Sequence, residues 1–191
     1  ISNGNFEEGY TILTELGDYK DSSEQILKGK YEQAVKCIET GEYHKGYEIL
    51  SELGSYSDSA NQIKKGKYKQ ASEFLEKKQY MSAIRVYVEI KGYLDSEEKL
   101  AETRYQYAQH SIDCKEYKMA VDQLEKILNY KDSTNLYQET CYRYAQRCIE
   151  DKKYKSAVEY YEKILDFSDA KEKWMEAMDM YIRIEVCRDV K

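Results

Sequence analysis

Proline is absent from the 191-residue sequence, and glycine occurs only nine times. Their scarcity is typical of a nearly all-helical chain with brief turns. No stretch approaches the roughly 20 apolar residues that are needed to span a bilayer, so no membrane insertion is predicted. Basic residues do not exceed acidic ones, and the formal net charge is −6. A nucleic-acid partner is therefore not expected, because phosphate neutralisation needs clustered Lys and Arg.

Residues that commonly carry catalysis are also few. The two histidines, His44 and His110, lie at non-equivalent positions and are interpreted as surface or packing residues. No glycine-rich phosphate loop is present. An enzyme needs a converging set of reactive groups, and the sequence offers none. We therefore predict no catalytic residue and no cofactor.

The five cysteines are odd in number and contain no C-x-x-C pair. They are Cys37, Cys114, Cys141, Cys148 and Cys187. This pattern indicates reduced, mostly packed thiols rather than a disulfide framework. Cys141 and Cys148 share a helix face, but no further ligand at a suitable spacing completes a metal site. The localisation stays open, with a reducing compartment such as the cytoplasm favoured.

A seven-residue motif recurs five times at a constant spacing of 37 residues. Its copies begin at Leu16, Leu53, Ile90, Ile127 and Ile164 and read LGDYKDS, LGSYSDS, IKGYLDS, ILNYKDS and ILDFSDA. A fixed period of about 20 to 50 residues indicates a solenoid, in which each unit buries its apolar face only against its neighbours.

Hydrophobic periodicity predicts about ten helices of two alternating types. Longer helices are expected at about 21–40, 58–77, 95–113, 132–150 and 169–189, and shorter ones at about 6–16, 43–53, 80–91, 117–128 and 154–165. Residues 1–5 are predicted to be a frayed lead-in, and Gly17 a left-handed C-terminal cap. Aspartates open the longer helices and are N-cap candidates. They are Asp21, Asp58, Asp95, Asp132 and Asp169.

Aligned copies reveal columns of small and aromatic residues. One small column is Ala34, Ala71, Ala108 and Ala145, and a second is Gly9, Gly46, Ala83, Ala120 and Ala157. Small residues let two helix backbones approach closely. A junction column of Tyr19, Tyr56, Tyr93, Tyr130 and Phe167 is interpreted as rings that seal adjacent repeats. Tyr107, Tyr137, Tyr144 and Tyr160 lie outside these columns and are better candidates for a surface function.

With an aromatic column after each intra-repeat turn (Phe6, Tyr43, Tyr80, Tyr117, Tyr154), the pattern resembles the tetratricopeptide repeat, in a 37-residue, bacterial-type variant. The family's usual unit is about 34 residues, and a Tyr-x-Asp-Ser junction replaces its proline. The resemblance implies an all-α, right-handed α-solenoid of antiparallel helix pairs. A single array over 1–191 would contain a half repeat at 6–30, repeats at 31–67, 68–104, 105–141 and 142–178, and a terminal helix to about 189.

The resemblance also implies that the first helix of each pair lines a concave groove. Candidate groove residues are Tyr31, Glu39, Tyr68, Glu76, Tyr105, Gln109, Asp113, Tyr142, Gln146 and Glu150. Glu39, Glu76, Asp113 and Glu150 form an acidic column, which is interpreted either as a duplicated solvated face or as a binding rail for a segment with basic groups. Lys28 and Lys65 against Glu102 and Glu139 would make the groove more acidic towards its C-terminal end.

The predicted function is non-enzymatic protein–protein interaction, with a protein or peptide partner that carries basic groups. The alternative is a structural spacer or self-association module with no specific groove ligand. Because the chain begins at Ile1 rather than Met, we interpret it as a fragment or processed product and as a module of a larger protein. The terminal helix carries Trp174, Met175 and Met178, and a homodimer through this helix is a further expectation.

Overall fold

The computed structural model describes residues 6–17, 19 and 21–189, apart from the side chains of Glu7 and of residues 185–189. Within this part, the chain forms ten α-helices and no β-strand. The longer helices are α2 (Ser22–Glu39), α4 (Ser59–Glu76), α6 (Ser96–Asp113), α8 (Ser133–Glu150) and α10 (Ala170–Asp189). The shorter helices are α1 (Phe6–Glu15), α3 (Tyr43–Leu53), α5 (Tyr80–Glu89), α7 (Tyr117–Leu124) and α9 (Tyr154–Glu162). The predicted lead-in at 1–5 lies outside the described residues.

All ten predicted helices are present, which confirms the all-α fold, but some of the shorter helices end earlier than predicted. Helix α7 ends at Leu124 and α9 at Glu162, three to four residues before the predicted ends. After these ends the backbone hydrogen bonds join residues three apart instead of four, as in a 3₁₀-helix. One example is the bond from the Ile127 N–H to the Leu124 carbonyl oxygen at 2.9 Å. Ile127 and Ile164 are nevertheless buried, so the apolar pattern continues through the tighter turn.

Neighbouring helices approach closely at the small columns. The four column alanines Ala34, Ala71, Ala108 and Ala145 are fully buried. A Cβ atom built at Gly46 of α3 would lie 2.7 Å from Ile38 Cγ1 and 2.9 Å from the Ala34 carbonyl oxygen of α2. Such contacts leave no room for a larger side chain, as the sequence predicted.

The chain folds as two compact units, Ile1–Leu100 and Ala101–Lys191, and the boundary between them lies inside α6. In the first unit, each of α1 to α4 packs against the next helix, and α2 also contacts α4. In the second unit, α7 packs against α8, α8 against α9, and α9 against α10. Within each unit, consecutive helices therefore pack in the manner of an α-helical repeat solenoid. The single array over 1–191 stays a prediction.

The turn between a longer and a shorter helix has the same backbone geometry in each repeat. Gly41, Lys78, Lys115 and Lys152 have φ values of 88°, 56°, 62° and 59°. At the second turn, the Lys78 N–H bonds to the Leu75 carbonyl at 2.9 Å, and the Gln79 N–H to the Phe74 carbonyl at 2.8 Å. These two bonds define a Schellman motif, whose left-handed position usually holds glycine. Three of the four turns therefore place a lysine where glycine would be less strained.

The predicted C-terminal cap and the predicted N-terminal caps had different outcomes. Gly17 has a φ of 52°, which confirms the left-handed cap after α1. The N-cap prediction is wrong at Asp21, Asp58 and Asp132, whose side chains make no capping hydrogen bond. Their ψ angles of 25°, 34° and 20° lie outside the β region from which an N-cap side chain reaches the free N–H groups.

Candidate functional site

The acidic column (Glu39, Glu76, Asp113, Glu150) occupies the last position of each of four longer helices. All four side chains are exposed. Arg147 pairs with Glu150 at 3.2 Å, whereas in the described part of the chain no hydrogen bond or ion pair reaches the other three carboxylates. A helix C-terminus disfavours negative charge slightly. Lys69 Nζ donates a hydrogen bond to the backbone carbonyl oxygen of Glu39 at 2.9 Å, so a cation also lies at the end of α2. The column is thus a recurrent set of exposed carboxylates on the surface of each unit, three of them without a direct ion pair among the described residues.

The predicted groove tyrosines have a structural role that the sequence analysis missed. We call Tyr31, Tyr68, Tyr105 and Tyr142 the junction tyrosines, and Asp58, Asp95, Asp132 and Asp169 the junction aspartates. Each junction tyrosine donates a hydrogen bond to the aspartate 27 residues later, at 2.6 Å for the last three pairs. Each bond ties one longer helix to the start of the next. A signal for it was available in the sequence, because both columns recur at this separation.

The rings of the junction tyrosines are also engaged. They meet Tyr56, Tyr93, Tyr130 and Phe167 edge to face, with centroids 6.1, 6.3, 6.1 and 6.1 Å apart. These partners are the column that the sequence predicted to seal adjacent repeats, and the ring contacts support that interpretation. Tyr105 is buried, and the other three junction tyrosines are half-buried. Their remaining exposed edges are therefore held in fixed positions.

Hydrogen bonding at the junction changes the acidity of both partners. The bond to Asp95, with burial, raises the pKa of Tyr68 to about 12. The bonds that Tyr31 and Tyr142 donate lower the pKa of Asp58 and Asp169. Tyr68 therefore stays protonated, and Asp58 and Asp169 stay charged, over the physiological pH range.

The two glutamines that were predicted to line the groove are exposed, unlike the junction tyrosines. Gln109 and Gln146 lie one helical turn from Tyr105 and Tyr142. Gln146 also lines a small cavity of about 190 Å³ with Tyr161, Lys173 and other residues of the second unit. The polar amides are available to a partner, whereas the neighbouring junction tyrosines are occupied by internal contacts.

The predicted increase in acidity towards the C-terminal end is partly offset by local pairs. Glu102 accepts hydrogen bonds from Tyr130, Lys131 and Gln106, and these bonds, that from Lys131 first, lower its pKa to about 2. Glu139 pairs with Arg143 one turn along α8. Neither carboxylate is an unpaired charge, because each has a cation beside it.

Several other candidate residues are now placed. Tyr107 and Tyr137 are buried, so the prediction that they belong to a functional surface is wrong. Tyr144 and Tyr160 are half-buried and pack against each other with centroids 4.6 Å apart. They were missed as partners because they lie on different helices and outside the repeat columns.

Histidines and cysteines do not converge on a reactive site in the described part of the chain, which contains no group of three metal-ligating residues. His44 is exposed beside Glu48, and His110 is exposed with the Cys114 sulfur 3.9 Å away. Cys37, Cys141 and Cys148 are buried free thiols, as predicted. Cys114 is exposed, which agrees with the prediction of mostly packed thiols, and Cys187 lies outside the described side chains.

No described helix is both long and apolar enough to cross a lipid bilayer. The sequence matches no protein-family profile, and a search of curated proteins finds no match. The resemblance to the tetratricopeptide repeat thus rests on the residue columns and remains a prediction.

Proposed function

We propose that the chain is a non-enzymatic scaffold that binds basic segments of a partner protein along the longer helices of each unit. The observation that carries this proposal is the acidic column, whose carboxylates are exposed at four equivalent helix ends. Negative charge at a helix C-terminus costs a few tenths of a kcal/mol. Its recurrence there, with only Glu150 paired, is better explained by attraction of a cationic partner than by stability.

The junction contacts support this proposal from the structural side. The junction tyrosines are fixed by a hydrogen bond and a ring contact, so within each unit the longer helices that carry the acidic column are held in register. A rigid array of charges loses little conformational entropy when a partner binds. The proposed division of roles is therefore that tyrosines position the helices, and carboxylates with Gln109 and Gln146 contact the partner.

A lysine-containing peptide, (Lys-Ala-Ala)₅, is a suitable first probe, with (Glu-Ala-Ala)₅ as its control. We expect Glu76→Lys or Asp113→Lys to weaken binding of the lysine peptide about threefold to tenfold in fluorescence anisotropy. Glu97→Lys and Glu159→Lys make the same charge change at exposed positions outside the column. They should have a smaller effect, and equal losses in all four variants would mean that only net charge matters.

The column itself provides a second comparison. Charge reversal at Asp113 or Glu150 should weaken binding of the lysine peptide more than charge reversal at Glu39. The reason is that Glu102 and Glu139 make the C-terminal end more acidic, whereas Lys28 and Lys65 make the N-terminal end less so. The pairs at Glu102 and Glu139 reduce the expected difference to about threefold or less. Equal losses at the three positions would remove the gradient and leave a uniform acidic surface.

The alternative proposal is a spacer or self-association module. It is supported by exposed apolar residues on α10, including Met175, Met180 and Ile182. Light scattering over a range of concentrations distinguishes the two proposals. Dimers that grow with concentration, together with a groove that does not bind the lysine peptide, would favour self-association.

A further inference from the structure

A stripe of side chains on the exposed face of α5 has a chemistry of its own. Met81, Arg85 and Val88 are spaced by four and three positions, so they lie on one face of the helix, and all three are exposed. Met81 is 51% exposed and Val88 is 49% exposed. We call these three residues the α5 stripe. Isolated apolar residues are common on protein surfaces, so exposure alone does not indicate a binding site.

Comparison with equivalent helices shows that the stripe is unusual. Its three positions hold only polar or charged residues in α3, α7 and α9, where all but Asp122 are exposed. The repeat therefore folds with hydrophilic side chains at these positions, and packing within a unit does not require Met81 or Val88. The equivalent residues are His44, Glu48 and Ser51 in α3, Lys118, Asp122 and Glu125 in α7, and Lys155, Glu159 and Glu162 in α9.

The charge at the middle of the stripe is also reversed. Arg85 stands where α3, α7 and α9 carry an aspartate or a glutamate. In α7 that acid, Asp122, pairs with Lys118 one turn earlier, with the Lys118 Nζ 2.9 Å from Oδ2. In α5 the turn before Arg85 holds Met81, which cannot form an ion pair. The α5 stripe thus consists of a cation between two apolar side chains.

Arg85 is left without an acidic partner. In the part of the chain that the structure describes, no hydrogen bond, ion pair or ring contact reaches its guanidinium group. Glu89 lies one turn later on α5, but it is engaged by Lys67 of α4, whose Nζ is 2.7 Å from Glu89 Oε2. A guanidinium group matches a carboxylate with two parallel hydrogen bonds. The stripe therefore offers an outside carboxylate a planar donor with apolar surface on both sides.

We propose that the α5 stripe is a docking surface for an amphipathic helix of a partner protein, which carries a glutamate or an aspartate between two aliphatic side chains. The carboxylate binds Arg85, and the aliphatic side chains, one turn away on either side, cover Met81 and Val88. Helices commonly pack through such matching apolar stripes. Arginine and methionine are both enriched in protein interfaces, and methionine adapts its shape to different partners.

Charge separates this surface from the acidic column. A basic segment of the kind proposed for the column would be repelled by Arg85, whereas an acidic helix is attracted to it. The two surfaces also lie on different helices, because the column is carried by the longer helices and the stripe by α5. The α5 stripe therefore adds a second partner of opposite charge, and its binding does not depend on that of the column.

A second copy of this chain fits the stripe less well. A two-fold symmetric pair presents the same surface from both sides. Arg85 lies in the middle of the stripe, so it would face Arg85 of the second copy whether the two helices run parallel or antiparallel. Like charges that meet in an interface oppose association, and the nearby Glu89 is occupied by Lys67. A separate acidic helix is therefore favoured.

NMR titration of the ¹⁵N-labelled protein tests the proposal, because it detects weak complexes and locates them. The probe is a helical peptide of alanine and glutamine that carries leucine, glutamate and leucine at the spacing of the stripe. The control peptide has lysine in place of the glutamate. We expect saturable shifts of the α5 amides with the glutamate peptide, and an affinity at α5 about threefold to tenfold lower for the lysine peptide.

Charge exchange in the protein is the sharper test. Arg85→Glu should weaken binding of the glutamate peptide at α5 about threefold to tenfold and strengthen binding of the lysine peptide there. Arg183→Glu makes the same charge change at an exposed arginine of α10, and it should leave both affinities at α5 unchanged. Circular dichroism verifies that the variants fold.

The apolar part of the stripe has its own matched control. Val88→Ser introduces the residue that α3 carries at the equivalent position 51, and Met81→Ser removes the other apolar side chain. Both should weaken the glutamate peptide about threefold or more, because each loses apolar contact area. Met175→Ser removes a methionine of similar exposure, 50%, from α10 and should have no effect.

Three results would overturn the proposal. One is equal affinity of α5 for the two peptides, and another is a set of peptide-induced shifts that lies outside α5. The third is a concentration-dependent dimer whose interface maps to α5, which would assign the stripe to a second copy. Asp113→Lys, which tests the acidic column, should bind the glutamate peptide at α5 as the wild type does. Failure of one proposal is thereby distinguished from failure of the other.

Discussion

The Tyr68 hydroxyl donates a hydrogen bond to Asp95 Oδ1 at 2.6 Å, across 27 residues of sequence. The same tyrosine ring meets Tyr93 edge to face, with centroids 6.3 Å apart. One side chain thus contacts both the aromatic and the acidic residue of the following Tyr-x-Asp-Ser junction. Because this arrangement recurs, each junction is both the start of a longer helix and a contact with the preceding longer helix.

Removal of one junction hydroxyl should destabilise the helices that it joins. We expect Tyr68→Phe to lower the free energy of local unfolding by about 0.5–1.5 kcal/mol, because a hydrogen bond to a charged acceptor is lost and the ring is kept. The measurement is hydrogen exchange of the amides of α4 and of the first turn of α6, since repeat arrays need not unfold in one step. Tyr93→Phe is the control, because phenylalanine already occupies the equivalent position 167. A loss of the same size in both variants would contradict the role of the hydroxyl.

The Glu102 site predicts loss of stability in acid. Hydrogen bonds from Lys131 and then Tyr130 lower the pKa of Glu102 from its ordinary 4.5 to about 2. Because the folded-state pKa is the lower one, the ionised carboxylate stabilises the second unit at full strength above about pH 4.5. This contribution disappears as the pH falls through about 2.

Thermal melting of wild type and Glu102→Gln between pH 2 and 7 tests this expectation. The variant should have a lower melting temperature than wild type at neutral pH. Its melting temperature should also fall less as the pH is lowered. Lys131→Met is the companion variant. Because it removes the cation beside Glu102, the fall in melting temperature with acid should begin closer to pH 4.5 than in wild type. Parallel curves for wild type and Glu102→Gln would be inconsistent with the predicted linkage.

The left-handed turns predict stabilising glycine substitutions. Lys78 has a φ of 56° at the Schellman position that Gly41 occupies one repeat earlier. We expect Lys78→Gly to stabilise the first unit by about 0.5–1 kcal/mol, because a non-glycine residue is strained there. Urea unfolding measures the change. Lys64→Gly, in the interior of α4, should instead cost about 1 kcal/mol, so destabilisation by both variants would refute the assignment of strain.

Close helix approach predicts unequal effects at two glycines. A Cβ at Gly46 meets the Ala34 backbone oxygen at 2.9 Å, whereas the three atoms nearest to a Cβ at Gly66 belong to the side chains of Tyr47 and Ile38. Backbone cannot move aside as a side chain can, so Gly46→Ala should cost about 1–3 kcal/mol. Gly66→Ala should be nearly neutral, because helix propensity offsets the smaller clash. Urea unfolding of the two variants compares them, and equal losses would show that the α2–α3 approach is not the limiting contact.

Much of the fold was predictable because it depends on local, repeated chemistry. The 37-residue spacing and the columns of small and aromatic residues predicted ten helices of two types, since an apolar stripe of helical period has few other ways to be buried. The ends of α7 and α9 were less predictable, because buried Ile127 and Ile164 continue the apolar pattern after the helical bonds have changed. Periodicity indicates which residues are buried, and it does not specify which backbone bond closes a turn.

The sequence alone also determined the acidic column and the packing of most cysteines, because both follow from the position of a residue on a helix. The tertiary structure decided what the side chains at the junction do. Asp58 was predicted to cap its own helix, but the turn geometry directs its carboxylate to the hydroxyl of Tyr31 on the preceding longer helix. The choice between a local and a distant partner depends on backbone angles and on the position of the neighbouring helix, and neither is written in the spacing of residues.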